Sequence, residues 1–198
     1  MNQLGKVLSE VAKYVPRLLK TELSKSLVFH NLNHTLEVVQ ASAEIGSHCD
    51  FTAEQMNIVQ VAAWFHDCGY TQAYTGHENI SKDIATGFLC GIGYPQEFLD
   101  CVVNCIEATR YPQKPIGVES RALCDADLYH FTRPDYHRYE EALRVEFERY
   151  FDKHPTDAIW AQTNCDMLTA HHYHTDYGRE VLQKFKEINL ERMRCKYL

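Results

Sequence analysis

The sequence is short of long apolar runs. Its best candidate, Val59–Phe65, is already broken by Gln60, whereas a membrane span needs about 20 apolar residues. A secretory leader is also missing from the start: MNQLGKVLSEVAKYV carries Lys6, Glu10 and Lys13 where a leader has its apolar core. These absences predict a cytoplasmic protein without membrane contact. No CxxC pair occurs among the eight cysteines at 49, 68, 90, 101, 105, 124, 165 and 195, so they read as free thiols, mostly packed as small core residues. Positive charge is scarce. Twenty Lys and Arg against 27 Asp and Glu give a net −7, the wrong sign for a phosphate-backbone binder. A small phosphorylated substrate stays open, because a bound metal reverses the local sign. Repeats, low-complexity tracts and long linkers are absent. What remains is an ordinary globular chain of 198 residues, 45% hydrophobic and 24% charged, sized for one domain over 1–198.

Alternating Val/Ile strands are lacking too, and the apolar periodicity is helical nearly throughout. Leu4, Val7, Leu8, Val11, Val15, Leu18 and Leu19 form a stripe, with a bend or restart expected at Pro16. A helix over about 31–48 would turn Leu32, Leu36, Val39, Ala43 and Ile45 inward. Thr52 and Gln55 read as a capping box, with Phe51 and Met56 as its hydrophobic staple. That helix should run through Val59–Phe65 and stop near Gly69. Further helices fit 78–91, 96–109, 119–130, 136–152, 157–172 and 177–195, which makes an all-α protein.

Chemistry concentrates in histidines and acids: His30, His34, His66-Asp67, His77-Glu78, Asp125 and Asp127. His30 and His34 are four apart and share a helix face. Neighbours such as His66 and Asp67 diverge by about 100° on a helix, so both reach one ion only if it sits beside the helix between them. His34 and one aspartate of the 125–127 pair are the natural completing ligands. Two imidazoles and two carboxylates suit Mn²⁺, Fe²⁺, Co²⁺, Ni²⁺ or Zn²⁺ better than a thiolate-preferring ion. Against this, a single buried histidine is more often a hydrogen-bonded core residue than a ligand, and spacing alone does not bring these groups together.

Phe29-His30-Asn31-Leu32-Asn33-His34-Thr35-Leu36-Glu37-Val38 resembles the first metal motif of the HD-domain phosphohydrolase superfamily, and is similar to the YHNxxHxxxV stretch of class I cyclic nucleotide phosphodiesterases. Ala63-Trp64-Phe65-His66-Asp67 resembles the HD dyad, and Cys124-Asp125-Ala126-Asp127-Leu128 the closing aspartate motif. The resemblance covers about 25–130, with the helices of 136–195 packed on that core. It implies a single-domain HD-type helical bundle, with His34, His66, Asp67 and Asp127 as metal ligands and Asp127 preferred to Asp125. It implies His30 as the acid that protonates the leaving oxygen, imidazole being the side chain that changes charge nearest neutral pH. The ion would polarise a phosphoryl oxygen and activate a water. The activity implied is a metal-dependent phosphohydrolase acting on a small phosphorylated substrate of the nucleotide class, with a cyclic nucleotide phosphodiesterase as its sharpest form. The alternatives are a nucleoside monophosphate phosphatase, a non-hydrolytic metal- and nucleotide-binding sensor, and a di-iron oxygenase. A homodimer is allowed.

The departures are specific. Tyr70 stands where the phosphodiesterases have a further histidine and the HD 5′-nucleotidases usually have a nearby glutamate. Two-metal members carry two extra histidines; His77 can be one, but Ile106-Glu107-Ala108-Thr109 holds no second. One tight divalent site (Mn, Fe, Ni, Zn, Co or Mg) is therefore expected, with a second, loosely held ion through Asp67 as the alternative. His77 and Glu78 read as wall or water-positioning groups, or, for Glu78, as a plain helix-start acid. Small HD proteins known only as predicted phosphohydrolases share a GHExxS-like segment and a C-terminal HxxxT…K..N pattern. Here these are Gly76–Ser81, then His171 or His172 with Thr175, Lys186 and Asn189. The His171–His174 cluster reads as structural, and Lys82, Arg110, Lys114, Arg121 and Arg133 are phosphate-contact candidates.

Overall fold

The computed structural model describes residues 3–197, with side chains described from 6 to 195. Leu4 of the first stripe therefore lies outside the described side chains. The elements run α1 (Gln3–Glu22), α2 (Leu32–His48), α3 (Ala53–Phe65), α4 (His77–Gly91), α5 (Gln96–Ala108), α6 (Val118–Asp127), α7 (Tyr136–Phe151), α8 (Asp157–Ala170) and α9 (Gln183–Tyr197). Tight 3₁₀ turns occupy Cys68–Thr71 and Tyr129–Thr132, and a π turn, Gly178–Leu182, leads into α9. No strand occurs among the described residues.

Helix α3 sits at the centre, packed against α1, α2, α5 and α6. Its Val59, Val61, Ala62, Ala63 and Phe65 are all fully buried, as expected of a helix that is apolar all round. Its start is the capping box read from the sequence: Thr52 Oγ1 accepts from the Gln55 amide, and Gln55 Oε1 accepts from the Thr52 amide. Phe51 and Met56 pack together over Gly46. A second, smaller apolar cluster joins Phe131, Tyr136, Cys165, Leu168, Leu190 and Met193, so α7–α9 have a core of their own.

Three expectations need correction. Helix α1 continues through Pro16 without a break; Val7, Val11 and Val15 stay buried on one line, and that packing outweighs the lost hydrogen bond. Helix α3 ends at Phe65, and Gly69 is not its C-terminal stop. A Cβ at Gly69 would fall 1.9 Å from the carbonyl oxygen of His77, so glycine there permits the close approach of α4. The buried face of α2 is His34, Thr35, Val38, Ala41, Ser42, Ile45 and Gly46, whereas Leu36 is exposed. Ile45 of the expected stripe is buried, and Leu32 and Val39 pack against the core; the rest of the buried face includes a histidine, serine and threonine, which hydropathy does not count.

The C-terminal helices are clasped to the rest by polar contacts. Asp125, fully buried, accepts from the amides of His174 and Thr175 and from the Thr175 hydroxyl. Gly178 packs so tightly against this carboxylate that a Cβ would meet it at 2.4 Å. Lys186 donates to the His171 carbonyl, and Asn189 to the carbonyls of Phe131 and Arg133. Ser81 accepts from the Gly69 amide. The residues of the GHExxS and HxxxT…K..N patterns thus hold segments in place.

Candidate metal centre

Four residues meet at one point from three helices. Asn31 caps α2, its side chain accepting from the amides of Asn33 and His34; the asparagine of the first motif has a local structural job one turn before the ligand. His66 is the C-cap of α3, and its Nδ1 donates to the Ala63 carbonyl at 2.7 Å, turning Nε2 inward. Asp67 has left helical geometry (φ −105°, ψ 5°), which removes the divergence that a continuous helix would impose on the dyad. Asp127 is the last residue of α6.

Asp67 Oδ2 lies 3.4 Å from His34 Nε2 and 3.2 Å from His66 Nε2; Asp127 Oδ1 lies 3.3 and 3.5 Å from the same two nitrogens. Donors about 2.1 Å from a common ion stand roughly 3.0–3.4 Å apart, so the set is spaced for one cation. His34 Nε2, His66 Nε2 and Asp67 Oδ2 are buried without any hydrogen-bond partner. Buried polar atoms are nearly always partnered, and three orphans facing one point fit a divalent ion. Among the described residues, His34, His66 and Asp127 form the one group of three or more His, Cys, Asp or Glu with ligand atoms all within 4.8 Å; Asp67 joins it through the two distances above. Burial alone would raise the Asp67 carboxyl, yet His66, His30 and His34 together outweigh it and hold the acid below the usual carboxylate range. Burial likewise acts to raise Asp127 and is outweighed by His34 and His66. Both acids are thus kept ionised. Asp125 points away to the 174–175 loop.

Around this centre His30, Tyr70 and His77 form a stack. Tyr70 lies 4.3 Å from His30 at 26° and 3.8 Å from His77 at 18°. His77 Nε2 faces Asp67 Oδ1 at 3.6 Å while its Nδ1 lies 3.2 Å from the Tyr74 carbonyl. Burial pushes the Tyr70 phenol up, with Asp67 adding to the effect, so it stays protonated. His30 Nδ1 pairs with Glu146 Oε2 at 2.5 Å, and Glu146 Oε1 also accepts from the amides of Phe29 and His30. Glu146 is fully buried on α7. Sequence reasoning missed it, since it lies 116 residues from its partner in a helix that reads as a solvated charged face. It also missed His130, whose buried ring sits beside Phe29 and whose Nδ1 lies 3.1 Å from the Asp127 carbonyl. The spacing of three from Asp127 was the available signal.

Other candidates are placed differently. Glu78 is buried, but its carboxylate takes Arg110 at 2.9 Å. Arg110 further binds Glu107 and Asn79, and Lys82 binds Glu107, so these two cations are committed to carboxylates and clasp α4 to α5. Arg133 shares a polar groove of about 140 Å³ with His34 and Asp127. Lys114 and Arg121 line separate cavities, neither of which contains a member of the His34–His66–Asp67–Asp127 set. All eight cysteines are free.

In the His171–His174 cluster, His172 is exposed, while His171 is wedged between Phe131 and Tyr173 with both ring nitrogens buried and unpartnered. Burial, aided by the Lys186 ammonium, pushes His171 down to about 3. A histidine with a depressed folded-state value is neutral in the fold. Its stability contribution is present above the unfolded value near 6.5 and is lost as pH falls from there toward 3. Urea denaturation of wild type and His171→Phe should therefore converge near neutral pH and diverge on acidification, with wild type losing more; parallel acid limbs would show that His171 does not titrate this way.

The HD domain family model matches residues 31–132, about half of the chain, and the chain belongs to that family. The match ends before α7, so Glu146 lies beyond it. The structure is also similar to the crystal structure of a predicted HD superfamily hydrolase from an uncultured Thermotogales bacterium. That likeness has a TM-score of 0.63 at 19% identity and covers 96% of this chain and 90% of the other. No curated protein matches the sequence. No helix among the described residues is long and apolar enough to cross a membrane.

Proposed function

We propose that this protein is a metal-dependent phosphohydrolase that cleaves a phosphoester of a small nucleotide-like substrate. The observation that carries the reading is the pairing of two neighbouring features: the orphaned His34–His66–Asp67 atoms beside Asp127, and a histidine held by a buried glutamate, its ring 5.9 Å from that of His34. His34, His66, Asp67 and Asp127 would hold the divalent ion, which supplies Lewis acidity and an activated water. Glu146 accepts from His30 Nδ1–H and orients the ring, so that the Nε2–H of the imidazolium form would be the proton given to a departing alkoxide. Arg133, in the groove shared with His34 and Asp127, is the cation best placed for a substrate phosphate. Asp67 Oδ1 and His77 Nε2 form the side on which a second, weaker ion would sit. A cyclic nucleotide is the sharpest form of the substrate class, resting on the resemblance around His30.

The test is product analysis by mass spectrometry after Mn²⁺-loaded protein meets cyclic nucleotides, nucleoside monophosphates and simple phosphoesters. A 3′- or 5′-monophosphate from a cyclic nucleotide is expected. Nucleoside plus phosphate from a monophosphate would move the assignment to a phosphatase. Ligand retention without any product would replace the hydrolase by a metal- and nucleotide-binding sensor.

A further inference from the structure

The residue that breaks the resemblance is also the one at the middle of the stack. Tyr70 sits flat between His30 and His77, whose centroids are 6.5 Å apart. Its ring is closed on the outer side by Tyr74, edge-on at 5.3 Å, itself stacked on Tyr150 of α7 at 4.2 Å. The ring is thus fixed from three directions. Its hydroxyl makes no hydrogen bond among the described residues, and the ring stacks at 3.8 Å on His77, whose Nε2 faces Asp67 Oδ1 at 3.6 Å. Tyrosines 129, 139 and 177, by contrast, spend their hydroxyls on glutamates. A held ring with an unspent donor beside a cation centre is built to meet an anionic oxygen.

We infer that Tyr70 contacts the substrate directly, its hydroxyl donating to a non-bridging phosphoryl oxygen between His30 and His77. The inference rests on the phosphoester reading above. In this arrangement the stack presents imidazole, phenol and imidazole side by side. Tyr70 then supplies a neutral donor to the phosphate, while Lys82 and Arg110 are already paired with carboxylates.

Calorimetric titration of inorganic phosphate into Mn²⁺-loaded wild type and Tyr70→Phe tests this. Phenylalanine keeps the stack and removes only the hydroxyl, so a purely structural Tyr70 would leave phosphate affinity unmoved. The expected result is a loss of roughly 10- to 100-fold in phosphate affinity, the range for a hydrogen bond to a charged group, with Mn²⁺ stoichiometry and affinity unchanged. Equal phosphate affinity in the two proteins would overturn the inference while leaving the phosphoester reading intact. Loss of Mn²⁺ by Tyr70→Phe would overturn it as well, since the residue would then act through the ion. Failure of the wild type itself to bind phosphate would overturn the phosphoester reading, and this inference with it.

Discussion

Asp67→Ala protein should neither hold a divalent ion nor turn over substrate. Asp67 Oδ2 lies within 3.4 Å of both imidazole nitrogens, and its removal leaves His34 and His66 with Asp127 alone. A metal supplies several kcal/mol of transition-state stabilisation, so activity should fall by on the order of 10³-fold or more at about 1.4 kcal/mol per decade. The metal half of this result needs no substrate. An ion that binds only the folded state at 100 times its Kd raises stability by about 2.7 kcal/mol. The melting temperature of the wild type should therefore rise with Mn²⁺ and fall back with chelator, while that of Asp67→Ala stays flat. A preserved Mn²⁺-dependent rise in the variant would remove Asp67 from the ligand set.

His30→Ala should lower kcat by roughly 10²- to 10⁴-fold, the usual contribution of a positioned acid, with Mn²⁺ binding intact. The deficit should shrink for a p-nitrophenyl phosphoester, whose leaving group departs without a proton. A deficit of the same size for good and poor leaving groups would show that His30 does not act as the acid. Glu146→Gln should lie between wild type and His30→Ala. A neutral amide can still accept from the amides of Phe29 and His30 but holds the imidazole less strongly. Glu146→Ala should in addition unfold more easily, because it strips three buried or half-buried donors of their common acceptor at about 1–3 kcal/mol for each group left unsatisfied. Wild-type stability in Glu146→Ala would mean that water replaces the carboxylate without cost.

How legible was this arrangement in the sequence? The helices were, because α3, α4, α5 and α7 carry strong periodicity, clear caps or Gly/Pro boundaries. The order His34, His66-Asp67, Asp127 was legible because each ligand sits in a short local motif at a helix end. The stripe of α2 was legible only in part, since its buried face starts at His34 and includes Thr35 and Ser42 beside the expected Ile45. Pro16 did not mark a break, because the packing of one helix face decided the matter. Glu146 and the Tyr70 stack are long-range facts: one joins α7 to the loop before α2, the other joins that loop to two segments on either side of Gly76. No spacing encodes them. Arg110 and Lys82 looked available for phosphate only until the fold placed Glu107 and Glu78 beside them.

The central claim is that four named atoms surround one ion, and anomalous diffraction from crystals grown with Mn²⁺ tests it most directly. The account predicts a strong peak about 2.1 Å from His34 Nε2, His66 Nε2, Asp67 Oδ2 and Asp127 Oδ1 together. A saturated crystal whose manganese lies elsewhere, with these four atoms still facing one another unbridged, would contradict it.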